Sequence, residues 1–344
     1  MSGPFLPLAT LFGPVLLSAL LCGLVIRSGI RDAPDGGRKT QAAPVPNSGG
    51  VAILLTLALS AWGLSAAGKL SPLWMENGTG AILAAALVAG VVGLVDDIRG
   101  MSARVKLVLV IAVALALAVF GPQLEIDGLA PVLAMAGVAL WLVITMNAVN
   151  FMDGSNGLAM GSAAIMLFWC ADILSGATAG EAVFGLQPDL SALCLAAALA
   201  ISGFLIWNLQ GRLYAGDVGS IGIGALFGGA SIVVAGERTI WTAAILFLPF
   251  LVDVMLTIAW RARAGQSVMQ AHREHAYQLL LRAGWPHLSV AVIWWGLTGL
   301  CGYAAATMPD EWAMATFFGL TGIGCAAWLA QRLTLGRRLK AAGL

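Results

Sequence analysis

Long apolar runs constrain this sequence more than any other feature. Of its 344 residues, 60% are hydrophobic and only 10% are charged. A helix that crosses the hydrocarbon of a bilayer needs about 20 mostly apolar residues, within a range of about 17–25. By that measure the predicted spans are 5–26, 49–70, 80–95, 105–121, 131–149, 158–175, 190–207, 219–235, 239–260, 288–307 and 313–330. We therefore expect an all-α polytopic membrane protein with about eleven transmembrane helices, forming a single integral membrane domain over residues 1–344.

The distribution of basic residues predicts the orientation of these spans. All but two of the 18 Lys and Arg residues fall in alternate connections or in the C-terminal tail, and the two exceptions are Lys69 and Arg238. Short cytoplasmic loops carry an excess of Lys and Arg. We expect the N-terminus outside and the C-terminus in the cytoplasm, in an inner (cytoplasmic) membrane.

Charge and cysteine content argue against two other classes of protein. The net charge of +1 gives no reason to expect a nucleic-acid partner. The five cysteines all fall inside apolar runs, and none are paired at metal-ligand spacing. We interpret them as small buried hydrophobic residues, not as a disulfide framework or a zinc site.

Acidic residues fall into two groups along the predicted topology. Those of the short outer loops, such as Asp189, are adequately explained as solvated surface residues. Asp96, Asp97, Asp153 and Asp217 each lie at the cytoplasmic end of a span. Two adjacent carboxylates at a membrane surface suit a hard divalent ion, or a catalytic base beside such an ion, although a solvated helix end remains an alternative.

Asp253 is the exception, because it lies inside the ninth predicted span. An ionisable residue within a span is a functional candidate. The alternative is a hydrogen-bonded polar residue that packs helices, aided by the kink-forming Pro249 nearby. From the sequence, both interpretations stay open.

Five polar segments on the predicted cytoplasmic side carry more chemistry than simple turns require. They are Pro44–Gly50, Asp96–Lys106, Asn147–Leu158, Trp207–Ser220 and His272–Gln278. Acids followed by bases suit a magnesium ion together with substrate phosphates. Glycines allow backbone to approach a ligand closely, and His with Arg suits phosphate recognition better than zinc binding. Membrane anchoring, helix capping and an interfacial tyrosine are the corresponding structural alternatives for single residues in these segments.

Taken in order, these motifs resemble the polyprenyl-phosphate N-acetylhexosamine-1-phosphate transferase family of membrane enzymes. That family includes the phospho-MurNAc-pentapeptide transferase of peptidoglycan synthesis and the WecA-like enzymes that start surface polysaccharides. The resemblance implies transfer of a sugar-1-phosphate from a UDP-sugar to undecaprenyl phosphate in the lipid bilayer, with release of UMP. It also implies a requirement for magnesium, or manganese, and it leaves homodimer formation open.

The resemblance also implies roles for individual residues. Asp217 would bind the metal with Asp97 beside it, and Asp96 would be the base on the lipid phosphate. The implied catalytic residues are Asp96, Asp97 and His275. The implied substrate-binding residues are Lys106, Asn150, Asp153, Asn156, Tyr214, His272 and Arg273.

Departures from the family pattern shape the expected substrate. Asn156 stands where many relatives have Asp, so only hydrogen bonding remains there. Asn208 is weakly supported because the spacing to Asp217 is one residue shorter than expected. His272-Arg273-Glu274-His275 replaces a triple-histidine loop, which favours an initiator of O-antigen, capsule or another exopolysaccharide over the peptidoglycan enzyme. A secondary transporter that uses Asp253 is the competing class.

Overall fold

All the secondary-structure elements that place the site are helices. The structure, a computed structural model, describes residues 5–28, 45–76, 78–126, 128–176, 187–267, 270 and 272–341. Pro44, the first residue of the predicted proline–glycine motif, lies outside these residues. The helices are α1 Phe5–Arg27, α2 Gly49–Ala66, α3 Gly78–Arg99, α4 Ala103–Phe120, α5 Pro131–Met152, α6 Leu158–Gly176, α7 Gln187–Asn208, α8 Gly216–Glu237, α9 Ile240–Leu246, α10 Leu248–Arg263, α11 Ala276–Arg282, α12 His287–Thr307, α13 Asp310–Gln331, a π-helical turn Arg332–Gly336 and α14 Arg337–Ala341.

A helix lies at each of the eleven predicted positions. Within the described part of the chain, nine helices are long and apolar enough to cross a membrane, and α9 with α10 would add a tenth. The described apolar part of α1, Phe12–Arg27, is shorter. The prediction of an all-α, multi-pass membrane protein is confirmed.

Helix α8 forms the centre of the bundle. In its most apolar 18-residue stretch 94% of the residues are buried, whereas in that of the last span, Asp310–Leu339, only 11% are. Close packing around α8 depends on glycines in its neighbours, because a side chain on Gly93 of α3 would meet the backbone of Asp217, and one on Gly50 of α2 would meet Gly219. Small residues that let helix backbones approach are characteristic of membrane bundles. Helices α2 and α3 are thereby held against the N-terminal end of α8.

The ninth predicted span is not continuous. Helices α9 and α10 meet at Phe247 with a bend of 80°. Pro249 occupies the first turn of α10, where its missing N–H costs nothing, but where it cannot extend the hydrogen-bond ladder of α9. The span expected over 239–260 is therefore broken into two helices, and the second of them carries Asp253.

The structure corrects the interpretation of Asp189 as a solvated residue of a predicted outer loop. Its side chain is buried at 4% exposure in the first turn of α7. The carboxylate accepts hydrogen bonds from the backbone N–H of Ser71 at 2.8 Å and from its hydroxyl at 2.6 Å. Asp189 joins the loop after α2 to α7 and is not a solvated surface residue.

Candidate functional site

Lys106 is the centre of a cluster of predicted site residues from four helices. Its ammonium lies 3.2 Å from the Asp96 carboxylate and 3.2 Å from the Asn150 side-chain oxygen, and it also contacts Asp217. The side chains of Lys106, Asp96 and Asp217 are 13%, 14% and 25% exposed. Residues separated by more than 100 positions thus form one partly buried charged network.

A short turn between α3 and α4 brings Asp96 and Lys106 together. Gly100 adopts φ of +64°, which reverses the chain directly after α3. The Ser102 hydroxyl accepts a hydrogen bond from a backbone N–H in the first turn of α4, at 3.4 Å. Lys106, near the start of α4, therefore lies within reach of the Asp96 carboxylate near the end of α3.

Asp97 points to different partners from Asp96. Its oxygens accept hydrogen bonds from the backbone N–H groups of Asp217 at 3.2 Å and Val218 at 3.1 Å, and from the Asn47 amide at 3.0 Å. Gly216, with φ of +70°, passes so close that a side chain there would meet Asn47 and Asp97. Asp97 therefore accepts from the free N–H groups that begin α8 and holds that helix end in place.

Asn150 fixes the opposite side of Asp217. Its amide nitrogen donates to Asp217 at 2.7 Å and to the Ser220 hydroxyl at 2.9 Å, while its oxygen accepts from Lys106. Every polar atom of the Asn150 side chain is used within the cluster. This arrangement requires an amide, because a carboxylate at this position could not donate to Asp217.

The segment before α8 pairs with the proline–glycine motif before α2. The Tyr214 N–H donates to the Pro46 carbonyl at 2.9 Å, and the Gly49 N–H donates to the Tyr214 carbonyl at 2.9 Å. The Tyr214 side chain is half-buried, and burial raises the pKa of its phenol. The predicted motif around Pro46 thus positions Tyr214, although no contact of the ring with the charged cluster is described.

Asp153 and Asn156 lie in the turn between α5 and α6. Burial raises the pKa of the Asp153 carboxyl well above its usual value, and the nearby Asp217 and Asp97 carboxylates raise it further. Asn156 is half-buried, and its side chain lies near Gly211 in the segment before α8. Asp153 therefore lies near the Asp97 and Asp217 carboxylates of the cluster, whereas Asn156 lies against the segment before α8.

Asn208 and His287 hold this turn, and sequence reasoning undervalued both. Asn208 accepts from the Gly157 N–H at 2.6 Å. His287 Nδ1 lies 3.0 Å from the Ser155 hydroxyl and accepts from the Asn156 N–H at 3.3 Å. The sequence shows His287 only as a residue that follows Pro286 at the start of α12, so the tertiary contact alone identifies it.

The histidine loop packs directly on the end of α5. The His275 ring stacks on Phe151 with centroids 6.2 Å apart, and the Tyr277 hydroxyl donates to the Phe151 carbonyl at 2.9 Å. His272 lies next to His275, with ring centroids 4.9 Å apart. Since Phe151 follows Asn150, this loop is adjacent to the Lys106 cluster.

Glu274 anchors the histidine loop through two arginines. Arg261 of α10 contacts its carboxylate at 2.6 Å and Arg332 of the π-helical turn contacts it at 3.2 Å. Beside it lies an open cavity of about 740 Å³. Its polar lining includes Arg261, His272, Arg273, Glu274 and Arg282. The structure thus places His272 and Arg273 at a basic cavity, where an anionic group would be favoured.

The donor chemistry of the cluster fits a hard divalent cation at Asp217 together with Asp96 or Asp97. Asp96 and Asp217 already share one cation, the Lys106 ammonium, and Asp97 adds a third carboxylate close by. All three carboxylates also accept hydrogen bonds from protein groups, so a bound cation would replace some of these contacts. Within the described residues no three His, Cys, Asp or Glu side chains form a ready-made metal site. Magnesium commonly uses one or two carboxylates with substrate phosphates, and this donor set matches that pattern.

Comparison with known proteins places the chain in a family. The family described as glycosyl transferase family 4 matches residues 79–235, which include the Asp96, Lys106, Asn150 and Asp217 cluster. The phospho-N-acetylmuramoyl-pentapeptide-transferase of Mycobacteroides abscessus is 31% identical over 87% of this chain and 95% of its own length. The chain belongs to glycosyl transferase family 4.

Other relatives carry the same name. The phospho-N-acetylmuramoyl-pentapeptide-transferases of Mycolicibacterium gilvum and Mycobacterium sp. strain KMS are 28% and 29% identical, over 87% and 88% of this chain and 94% and 95% of their own lengths. Family membership confirms the prediction of a membrane phosphotransferase that uses a UDP-sugar and a polyprenyl phosphate. The narrower preference for a surface-polysaccharide initiator is not confirmed, since these relatives are named for the peptidoglycan reaction.

Proposed function

We propose that the chain transfers an N-acetylated amino-sugar-1-phosphate from its UDP derivative to undecaprenyl phosphate and releases UMP. The observation that carries this proposal is the Lys106 cluster, in which Asp96, Asn150 and Asp217 surround one ammonium beside the histidine loop. Phosphoryl transfer depends mainly on positioning and charge neutralisation, which such a cluster supplies. By the distribution of basic residues, this end of the bundle faces the cytoplasm.

The residues support a direct displacement. An oxygen of the lipid phosphate attacks the sugar-bearing phosphorus, and the bond from that phosphorus to the UMP oxygen breaks with its electron pair leaving on UMP. Asp96 accepts any proton on the attacking phosphate, while Lys106 offsets charge on the phosphate oxygens and His275 contacts them. Magnesium held at Asp217, with Asp97 beside it, would supply further neutralisation of the diphosphate when bound.

Two UDP-sugar donor substrates are candidates and are tested separately. The names of the relatives favour UDP-MurNAc-pentapeptide. The histidine loop supports a simpler UDP-N-acetylhexosamine, because its third position is Glu274, held by Arg261 and Arg332, where a triple-histidine loop would present another imidazole. Only the donor and the polymer made downstream differ between these candidates, and the reaction at phosphorus is the same.

A UMP-release assay with purified protein in lipid nanodiscs tests the proposal. Undecaprenyl phosphate, magnesium and each of UDP-MurNAc-pentapeptide, UDP-GlcNAc and UDP-GalNAc are supplied in turn. UMP release that requires both lipid and magnesium supports the proposal, and Asp217→Asn should abolish it. Absence of lipid-dependent UMP release with every donor would refute it, and a phosphorylated enzyme formed without lipid would refute direct displacement.

A further inference from the structure

A buried carboxylate outside the Lys106 cluster faces the histidine loop. Asp253, in the second turn of α10, is 2% exposed. Its Oδ1 accepts from the Ala276 N–H at 2.8 Å and from the Thr257 hydroxyl at 3.2 Å, and it lies 3.5 Å from Nδ1 of His275. The break at Phe247 allows α10 to bring this carboxylate to the start of α11.

The His275 ring is confined on its other sides as well. It is 3% exposed, and the rings of Phe151 and Tyr277 stack on it with centroids 6.2 Å and 6.0 Å away. Stacking fixes the plane of the imidazole but does not determine which nitrogen carries the proton. A carboxylate on one side of the ring does determine this, because it favours N–H on the nitrogen that faces it.

We propose that Asp253 is a positioning residue that keeps a proton on Nδ1 of His275 and so leaves Nε2 as a hydrogen-bond acceptor for a protonated oxygen of the substrate phosphate. Carboxylate–imidazole pairs act in this way in other enzymes, where the carboxylate orients the ring and sets its tautomer. The proposal rests on the proposed function in one respect, which is that His275 acts on the substrate. It gives Asp253 a role through His275 without requiring any contact of Asp253 with the substrate.

His287, whose hydrogen bonds are given above, provides an internal reference for the tautomer of His275. Nδ1 of His287 accepts from the Asn156 N–H, so its neutral ring carries the proton on Nε2. With only three histidines in the chain, ¹⁵N-histidine labelling gives few imidazole signals to assign. His275→Gln and His287→Gln identify the two signals by their loss.

The first test reads the tautomer of His275 by ¹⁵N NMR of the full chain in nanodiscs. In the wild type, Nδ1 of His275 should carry a proton, whereas Nδ1 of His287 should not. In Asp253→Asn, Oδ1 can still accept from Ala276, but the charge is lost, and His275 should move toward the Nε2–H form. A wild-type His275 protonated at Nε2 alone, or a signal unchanged by Asp253→Asn, would overturn the proposal.

The second test separates positioning from loop anchoring by kinetics. Asp253→Asn should lower kcat roughly 10–100-fold, the usual cost of losing such a supporting partner. In a His275→Gln background the same change should cost less than about threefold, because the two residues act as one unit. Equal losses in both backgrounds would indicate an anchoring role only and would contradict the proposal.

Asp189→Asn is the matched control, because Asp189 is also a buried carboxylate that accepts from a backbone N–H, but it joins α7 to the loop after α2. It should leave the His275 tautomer unchanged and lower kcat by less than about twofold, since its described partner, Ser71, is not a partner of Asp253 or His275. If no donor supports turnover, the proposed function fails, whereas the NMR result still decides whether Asp253 sets the ring of His275.

Discussion

Removal of the Asp97 carboxylate should destabilise the metal-free protein. Asp97→Ala leaves two backbone N–H groups of α8 and the Asn47 amide without their acceptor. Hydrogen bonds to a charged acceptor contribute about 1.5–3 kcal/mol each, yet complete loss of a helix-capping side chain typically costs only about 0.5–2 kcal/mol, because water reaches the first turn. We therefore expect a loss of about 2 kcal/mol, or roughly 3 °C in Tm for a chain of 344 residues.

The sign of this change distinguishes two roles for Asp97. If Asp97 serves mainly as a metal ligand, it is a surplus negative charge near Asp96 and Asp217 when metal is absent, and its removal should stabilise the protein. If it holds α8, its removal should destabilise the protein. Thermal unfolding in nanodiscs with EDTA measures the difference directly. A Tm of Asp97→Ala equal to or above that of the wild type would refute the role in holding α8.

Asn47 supplies the matched control for this measurement. Asn47→Ala removes one donor to Asp97 and should cost about 1 kcal/mol in the wild-type background. In the Asp97→Ala background it should cost less, because the shared hydrogen bond is already lost. Additive losses would show that Asn47 stabilises the protein independently of Asp97.

Three further changes test the electrostatics and geometry around the site. Lys106→Gln leaves two carboxylates facing each other; it should abolish UMP release and lower the unfolding free energy by about 2 kcal/mol, with part of the stability recovered by adding Asp217→Asn. The raised pKa of Asp153 means that ionisation of this carboxyl opposes folding, so wild-type stability should fall as pH rises above about 4, and Asp153→Asn should raise Tm at pH 8 more than at pH 5; an equal shift at both values would contradict this. Gly216→Ala should lower Tm and activity more than Gly265→Ala, because both glycines have positive φ but only Gly216 lies against other residues; equal losses would refute the importance of close approach.

The spans and the grouping of the site were predictable because both depend on local pattern. Hydrophobic length is a property of each segment, and it located the long helices to within a few residues, but not the break at Phe247 or the short helix α11. Because successive spans cross the membrane in alternating directions, the sequence also predicted that the ends of α3 and α5 and the starts of α4 and α8 lie on the same side of the membrane. The contacts among Lys106, Asn150 and Asp217 agree with that grouping.

The division of labour between Asp96 and Asp97 could not be predicted in the same way. Neighbouring residues on a helix point about 100° apart, so the two carboxylates must face different partners, but the sequence does not say which one faces Lys106. Tertiary packing decides this, because α8 approaches α3 on the side of Gly93 and Asp97. The same limit explains the error at Asp189, whose partner Ser71 is 118 residues away.

Asp253 shows how the structure separates two classes of membrane protein that the sequence left in competition. A secondary transporter would use an ionisable residue in a broken helix near the middle of the bilayer. The structure has the broken helix, but the Asp253 carboxylate is bonded to Ala276 and lies beside His275. Tyr277, two residues further on, contacts the end of α5 next to Asn150. The partners of Asp253 are therefore those of the phosphotransferase site, and a coupling role in transport would require this carboxylate to leave a buried, hydrogen-bonded position.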